Sequence, residues 1–257
     1  MSEAPEPQTP RTTNADISVY DNLRLAAVAA ARVVVDVAAA AVAAGGRFVV
    51  ALAGGETPRT LYGLLAGPYR DAIPWDRVDV CFGDERCVPP DDPASNYRTA
   101  RSTLLDQVPV APDRVHRIAG ELGGVAAALD YDVRLRRLFG HDSRAATFDL
   151  ALLGVGPDGH TASLFPGDPA LEERDRWVVP AAAPPGMKVR DRVTVTLPVL
   201  NRSRTVLFLC SGEEKREVLA RILGGSAPEL PAARVQGHER TLWILDRAAA
   251  AREAGGG

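Results

Sequence analysis

Of the four histidines in this 257-residue chain, His160 alone sits among glycines directly after a strongly apolar run. It lies in GVGPDGHTASLFPG, residues 154–167, which follows FDLALL. A free imidazole titrates near neutrality, so one presented by a loop can take a proton from water. Asp158, two residues earlier, could orient that ring or stabilise its charged form. Arg86 closes the charged triplet in FGDERCVPPDDPASNYRTA, residues 82–100. A guanidinium there could grip a carboxylate or phosphate through two parallel hydrogen bonds, or stabilise a developing oxyanion. A third stretch, AGGETPRTLY at 53–62, pairs a tight glycine turn with Thr57 and Pro58. The threonine predicts an N-cap and the proline a first helical position. Free amides at such a helix start make a phosphate site.

Other chemistries find less support. Gly154, Gly156 and Gly159 spell G-x-G-x-x-G, the dinucleotide fingerprint, but Pro166 and Gly167 follow too soon for the long helix it requires. Asp175 precedes the strand WVVPA, where the fingerprint places its acidic residue at a strand's end. The glycine turn at 54–55 lacks a P-loop lysine. Glu56 beside it would repel a phosphate unless its side chain points away. Cys87 has no histidine near it in sequence, so burial is its expected fate, not nucleophilic attack. No G-x-S-x-G elbow occurs, which favours direct attack by water over an acyl-serine route. Asp158 and His160 lack a third metal ligand. Cys81, Cys87 and Cys210 show no paired spacing, so neither a metal site nor a disulfide framework is expected.

These loops need strands and helices to hold them. Helical and strand patterns alternate along the chain, which predicts an α/β fold: three αβα layers around a mainly parallel, Rossmann-like sheet, in one domain. Helices are expected near 20–44, 58–65, 96–107 and from Gly120 to Phe139, with another starting near Glu213. Strands are expected at RFVVALA, VDVCFGD, FDLALLG, WVVPA, RVTVTLP, RTVLFLC and RTLWILD. In open sheets ligands bind beyond the carboxyl ends of the strands, where the three unusual loops fall. A formal charge of −3 offers no global field for nucleic acid or an anionic membrane. Residues 1–16 read as a polar, disordered tail and not as a signal peptide. Arg32 and Asp36 interrupt the apolar stretch 25–44, and, four residues apart, can face each other on a soluble helix. Free cysteines and no leader suit a cytoplasmic protein.

LAGGETPRTLY, FGDERCVPPDDPASNYRTA, LLGVGPDGHTASLFPG and RVTVTLPVLNRSRTVLFLCSGEEKREVL stand in the order and spacing of the 6-phosphogluconolactonases, and the chain resembles that family from Ala53 to about Asp246. The resemblance implies a lactonase domain over 17–250 that hydrolyses 6-phospho-D-glucono-1,5-lactone without metal or organic cofactor, as a monomer or small homo-oligomer. It implies His160 as general base, with Asp158 and Arg86 completing the catalytic set. It implies substrate or phosphate binding by Gly54, Gly55, Thr57, Asp84, Asn96, Arg192 and Lys215. Where the family commonly has serine, this chain has Glu56. Glucosamine-6-phosphate isomerases share the fold but carry a glutamate five residues after the histidine, here Phe165, and tyrosine in place of Arg86. A sugar-phosphate isomerase or deaminase, and a non-catalytic phosphosugar sensor, remain the alternatives.

Overall fold

The computed structural model describes residues 15–140 and 147–250. Strand β1 (Ala15–Tyr20) leads into helix α1 (Leu23–Gly45), followed by β2 (Phe48–Leu52), α2 (Glu56–Ala66), β3 (Val78–Phe82) and a short β4 (Asp84–Arg86). Then come α3 (Asn96–Thr103), α4 (Gly124–Phe139), β5 (Leu150–Leu153), β6 (Val178–Ala182) and β7 (Asp191–Val195). Helix α5 (Leu197–Asn201), β8 (Thr205–Cys210), α6 (Arg216–Leu223) and β9 (Arg240–Asp246) complete the chain. Six strands form one all-parallel sheet in the order β1-β9-β8-β5-β2-β3. The fold is therefore mixed α/β with a mainly parallel centre, as the alternating pattern predicts.

Its inner strands are the fully apolar runs, and every residue of β2, β3, β5 and β8 is buried. Runs without polar alternation suit strands covered on both faces. Helix α1 starts on the side chain of Asn22, which accepts the Leu25 N–H, and stops at Gly46, whose φ of +74° ends the helical turn. Its buried face is mostly alanine, Ala26, Ala27, Ala30, Ala31 and Ala38, and packs against β1, β2, β8 and β9. Arg32 and Asp36 lie on its exposed side, where they form no ion pair among the described contacts. By length and composition alone α1 could cross a membrane; here its alanine face seats it on the sheet.

Four local expectations need correction. Residues 1–14 lie outside the described residues, but Ala15 and Asp16, expected in the tail, belong to β1. Backbone pairing with β9, from Ala15 with Thr241 to Tyr20 with Asp246, orders them. Thr57 does not cap α2: the helix begins at Glu56 behind Gly55, whose φ of +99° only glycine adopts easily, and no side chain caps it. RVTVTLP is not strand throughout, since the chain turns into α5 at Leu197 with Pro198 in its first turn. The helix expected to reach residue 107 ends at Thr103 and continues as a separate 3-10 turn, Leu105–Gln107.

β4 departs from the main sheet. It continues β3 past Gly83 into an antiparallel three-stranded sheet, β4-β7-β6, with Asp84 opposite Thr194 and Arg86 opposite Arg192. The outer edge of β3 is held by a polar staple. Asp79 is buried and accepts from Arg114 at 2.9 Å and pairs with His116 Nε2 at 3.0 Å. Burial acts to raise the Asp79 carboxyl, but the His116 hydrogen bond and the charges of Arg114 and His116 hold it below the usual carboxylate value. A carboxyl depressed on folding contributes stability at pH above its unfolded value and loses it as pH falls through the folded one. Asp79→Asn is expected to lower unfolding free energy by about 1–3 kcal/mol at pH 7. In urea titrations that gap should shrink as pH falls below the ordinary carboxylate value.

Candidate active site

From β2 the chain moves outward to β3, then crosses back over β2 to β5. That reversal opens a crevice at the carboxyl ends of these strands, the place where open α/β sheets bind ligands. Three loops meet there: Ala53–Gly55 after β2, Gly83 with β4 after β3, and Gly154–His160 after β5. They enclose a cavity of about 260 Å³.

Gly54, Gly55 and Thr57 line one part of it, and Lys215 and Glu214 also border it. The uncapped first turn of α2 presents its amides here, so this end suits a phosphate. Glu56 sits at the rim, with its side chain 88% exposed and turned to Arg59 at 3.4 Å. The carboxylate that looked out of place beside a phosphate points away from it.

At the other end stands His160, half-buried, its ring 4.7 Å from that of buried Phe165. Nδ1 of His160 lies 2.5 Å from Asp158 Oδ1, which also accepts the His160 main-chain N–H at 3.1 Å. Burial acts to raise the Asp158 carboxyl, but the bond to His160 and the imidazole's charge hold it below its ordinary value. An ionised carboxylate only accepts, so Nδ1 carries the hydrogen and the lone pair of neutral His160 falls on Nε2. Nε2 has no protein partner among the described residues.

The glycine-rich stretch does not open a helix. Gly156 N–H bonds back to His160 O, Thr161 Oγ1 donates to Gly154 O at 2.8 Å, and Ala162 takes a left-handed φ of +49°. This knotted turn sends the Ser163 hydroxyl to Asp84 Oδ2 at 2.7 Å. Asn96 Nδ2 donates to Asp84 Oδ1 at 3.1 Å, so the Asp84 carboxylate, 7% exposed, is held from both sides. Asn96 Oδ1 is buried without a partner and packs so tightly on Gly54 that a Cβ there would overlap it.

Alternation along β4 puts Asp84 and Arg86 toward the cavity and Glu85 away from it. Glu85, almost wholly buried, accepts the N–H groups of Arg86, Asn96 and Tyr97 and the Ser95 hydroxyl. Burial raises its pKa against those bonds. Arg86 Nη1 donates to Ala94 O at 2.5 Å, and its buried Nε has no partner. Arg192, directly across the β4–β7 pair, is buried with Nε also unpartnered and only Met187 Sδ, at 3.9 Å, near Nη2. Burial and then the charge of Arg86 lower its pKa. Two guanidiniums this short of acceptors favour an anion between or beside them.

A family profile described as Glucosamine-6-phosphate isomerases/6-phosphogluconolactonase matches residues 21–243. The chain belongs to this family. It is similar to the 6-phosphogluconolactonase of Streptomyces coelicolor, 41% identical over 244 residues covering 90% of this chain and 92% of the relative. It is also similar to that of Homo sapiens, 44% identical over 239 residues covering 91% and 92%. Among solved structures, the 6-phosphogluconolactonase of Thermotoga maritima matches with a TM-score of 0.80 and 32% identity, over 91% of this chain and 100% of that one.

Of the residues expected from sequence, the fold brings Gly54, Gly55, Thr57, Asp84, Arg86, Asn96, His160 and Lys215 into one cavity. Asp158 and Arg192 do not line it; they back His160 and Arg86 respectively. Cys87 is half-buried, and burial pushes its thiol up to about 11, which leaves it protonated and a poor nucleophile. Sequence reasoning missed Glu85, Ser163 and Glu214. Ser163 stands three residues beyond the family's histidine, but only the left-handed Ala162 turns it toward Asp84. A Cβ at Gly156 would overlap the His160 ring and crowd Asp158. In Gly156→Ala the downfield Nδ1–H proton resonance expected for the His160–Asp158 pair should vanish, while the amide spectrum stays dispersed.

Proposed function

We propose that this chain hydrolyses 6-phospho-D-glucono-1,5-lactone to 6-phospho-D-gluconate, the activity named for its relatives, with His160 as the general base. The observation that carries this reading is the His160–Asp158 pair facing the uncapped start of α2 across one cavity. The substrate phosphate takes the amides around Gly54, Gly55 and Thr57, and Lys215 adds charge. That fixes the lactone carbonyl near His160 and converts attack by water into a positioned step.

His160 Nε2 takes a proton from water as its oxygen bonds to the carbonyl carbon. Asp158 stabilises the imidazolium so formed. The tetrahedral oxyanion is met by Arg86, with Arg192 behind it reinforcing the positive field. Collapse breaks the bond to the ring oxygen, which receives the proton from the imidazolium, and the new carboxylic acid ionises. The Asp84 carboxylate and Asn96 Oδ1 accept from the sugar hydroxyls. Phe165, packed behind the His160 ring, is a hydrocarbon side chain with no proton to exchange, which speaks against the isomerase alternative. A cytoplasmic location belongs to the same proposal, supported by three free cysteines.

Acid release from freshly made phosphorylated lactone, corrected for spontaneous opening, should far exceed that from the unphosphorylated lactone. Equal rates, or conversion of glucosamine 6-phosphate instead, would overturn the reading. His160→Ala should lower kcat by roughly 10² to 10⁴ with KM little changed. Because the Glu56 side chain points to solvent, Glu56→Ser should leave KM within about twofold of wild type; a larger drop would mean that the serine hydroxyl binds phosphate directly.

A further inference from the structure

A second cavity, of about 420 Å³, lies against another face of α3. Asn96 turns into the candidate active site, whereas Tyr97 and Arg101 line this one. The far walls come from the 105–119 stretch, including Arg117, and from Arg134 on α4. Three guanidiniums from three separate segments thus border a single space.

They are not engaged alike. Arg117 spends both terminal nitrogens on Glu121, at 2.9 and 2.6 Å, and its guanidinium lies 5.7 Å from the Tyr97 ring centroid. It is a fixed part of the wall. Arg101 and Arg134 instead hold their carboxylates, Asp106 at 3.2 Å and Asp130 at 2.8 Å, through Nε. Their terminal nitrogens have no acceptor among the described residues. Each therefore keeps an unused pair of N–H donors on its terminal nitrogens, the planar arrangement that matches phosphate or carboxylate oxygens. A monocarboxylate would satisfy one such fork. Two forks call for a doubly charged group with three acceptor oxygens. Asp106, held by Arg101, and Tyr97 also border the space, and the rest of the lining is apolar, with Leu105, Val110, Pro112, Val115 and Ala119.

We propose that this cavity is a second binding site, for a small organic phosphate whose phosphoryl group takes the free forks of Arg101 and Arg134. Its carbon body lies on the Leu105, Val110 and Val115 wall. The site does not depend on the lactonase reading, because it shares no residue with that cavity.

Phenyl phosphate titrated into the protein should give saturable amide shifts at Tyr97, Arg101, Val115 and Arg117, and these should persist in Lys215→Ala, in which the other anion site is weakened. In Arg101→Ala/Arg134→Ala, whose side chains are half exposed and so dispensable to the core, affinity should fall at least tenfold. Arg101→Lys/Arg134→Lys should fail similarly, since charge remains but the fork is gone. Inorganic phosphate should bind at least tenfold more weakly than phenyl phosphate. Shifts confined to residues 53–57 and 214–215, an undiminished affinity in the double alanine variant, or equal affinity for the two phosphates would overturn the proposal.

Discussion

The buried carboxylate of Glu85 is the knot around which the candidate site is tied. It gathers three main-chain N–H groups and the Ser95 hydroxyl, and so binds β4 to the start of α3. Together with the pairing of β4 to β7, that bond set holds the chain in its turn out of the parallel sheet and keeps Asp84, Arg86 and Asn96 at the cavity. A group this buried is costly to ionise, and several well-placed donors are what make the charged form tolerable. Among the buried polar atoms without partners, Nε of Arg86 and Oδ1 of Asn96 belong to residues this knot positions, and Nε of Arg192 lies across the strand pair from Arg86. The supporting carboxylate is fully satisfied, whereas Arg86 and Asn96, which line the cavity, keep unmet hydrogen-bonding capacity.

The two ends of that cavity work by different physics. Around α2 the field comes from backbone dipoles, which need no side chain and leave Glu56 to turn toward Arg59. Around His160 it comes from a carboxylate paired to an imidazole on one side and crowded arginines on the other. Negative charge behind the ring favours its taking a proton, while positive charge at Arg86 favours an oxyanion. The opposite signs are kept apart by the strand pairing that sets Arg86 beside Arg192 and by the separate turn that carries Asp158.

Much of this was legible in the chain itself. Apolar runs such as FVVAL and LALL gave the inner strands, because a strand buried on both faces has no polar alternation to hide it. The three loops were found because chemistry-bearing residues cluster where such runs end. What escaped depends on partners distant in sequence. β1 is a strand only because β9 lies beside it. Glu85 looked like one of three solvated charges, since nothing local announces that Ser95, Asn96 and Tyr97 will converge on it. The cap expected at Thr57 yielded to Gly55, whose positive φ starts the helix two residues early. Arg192 was placed by family likeness, and its position behind Arg86 follows from antiparallel register alone.

The pairing of β1 with β9 also bears on how the molecule is made. The first described strand finds its neighbour in the last one, so on a ribosome it waits through synthesis of nearly the whole chain before it can dock. Helix α1 finds part of its seat sooner, on β2 and α2, and the rest when β8 and β9 arrive. Assembly of this fold is therefore concluded by β9, the strand that seats β1 and completes the support of α1.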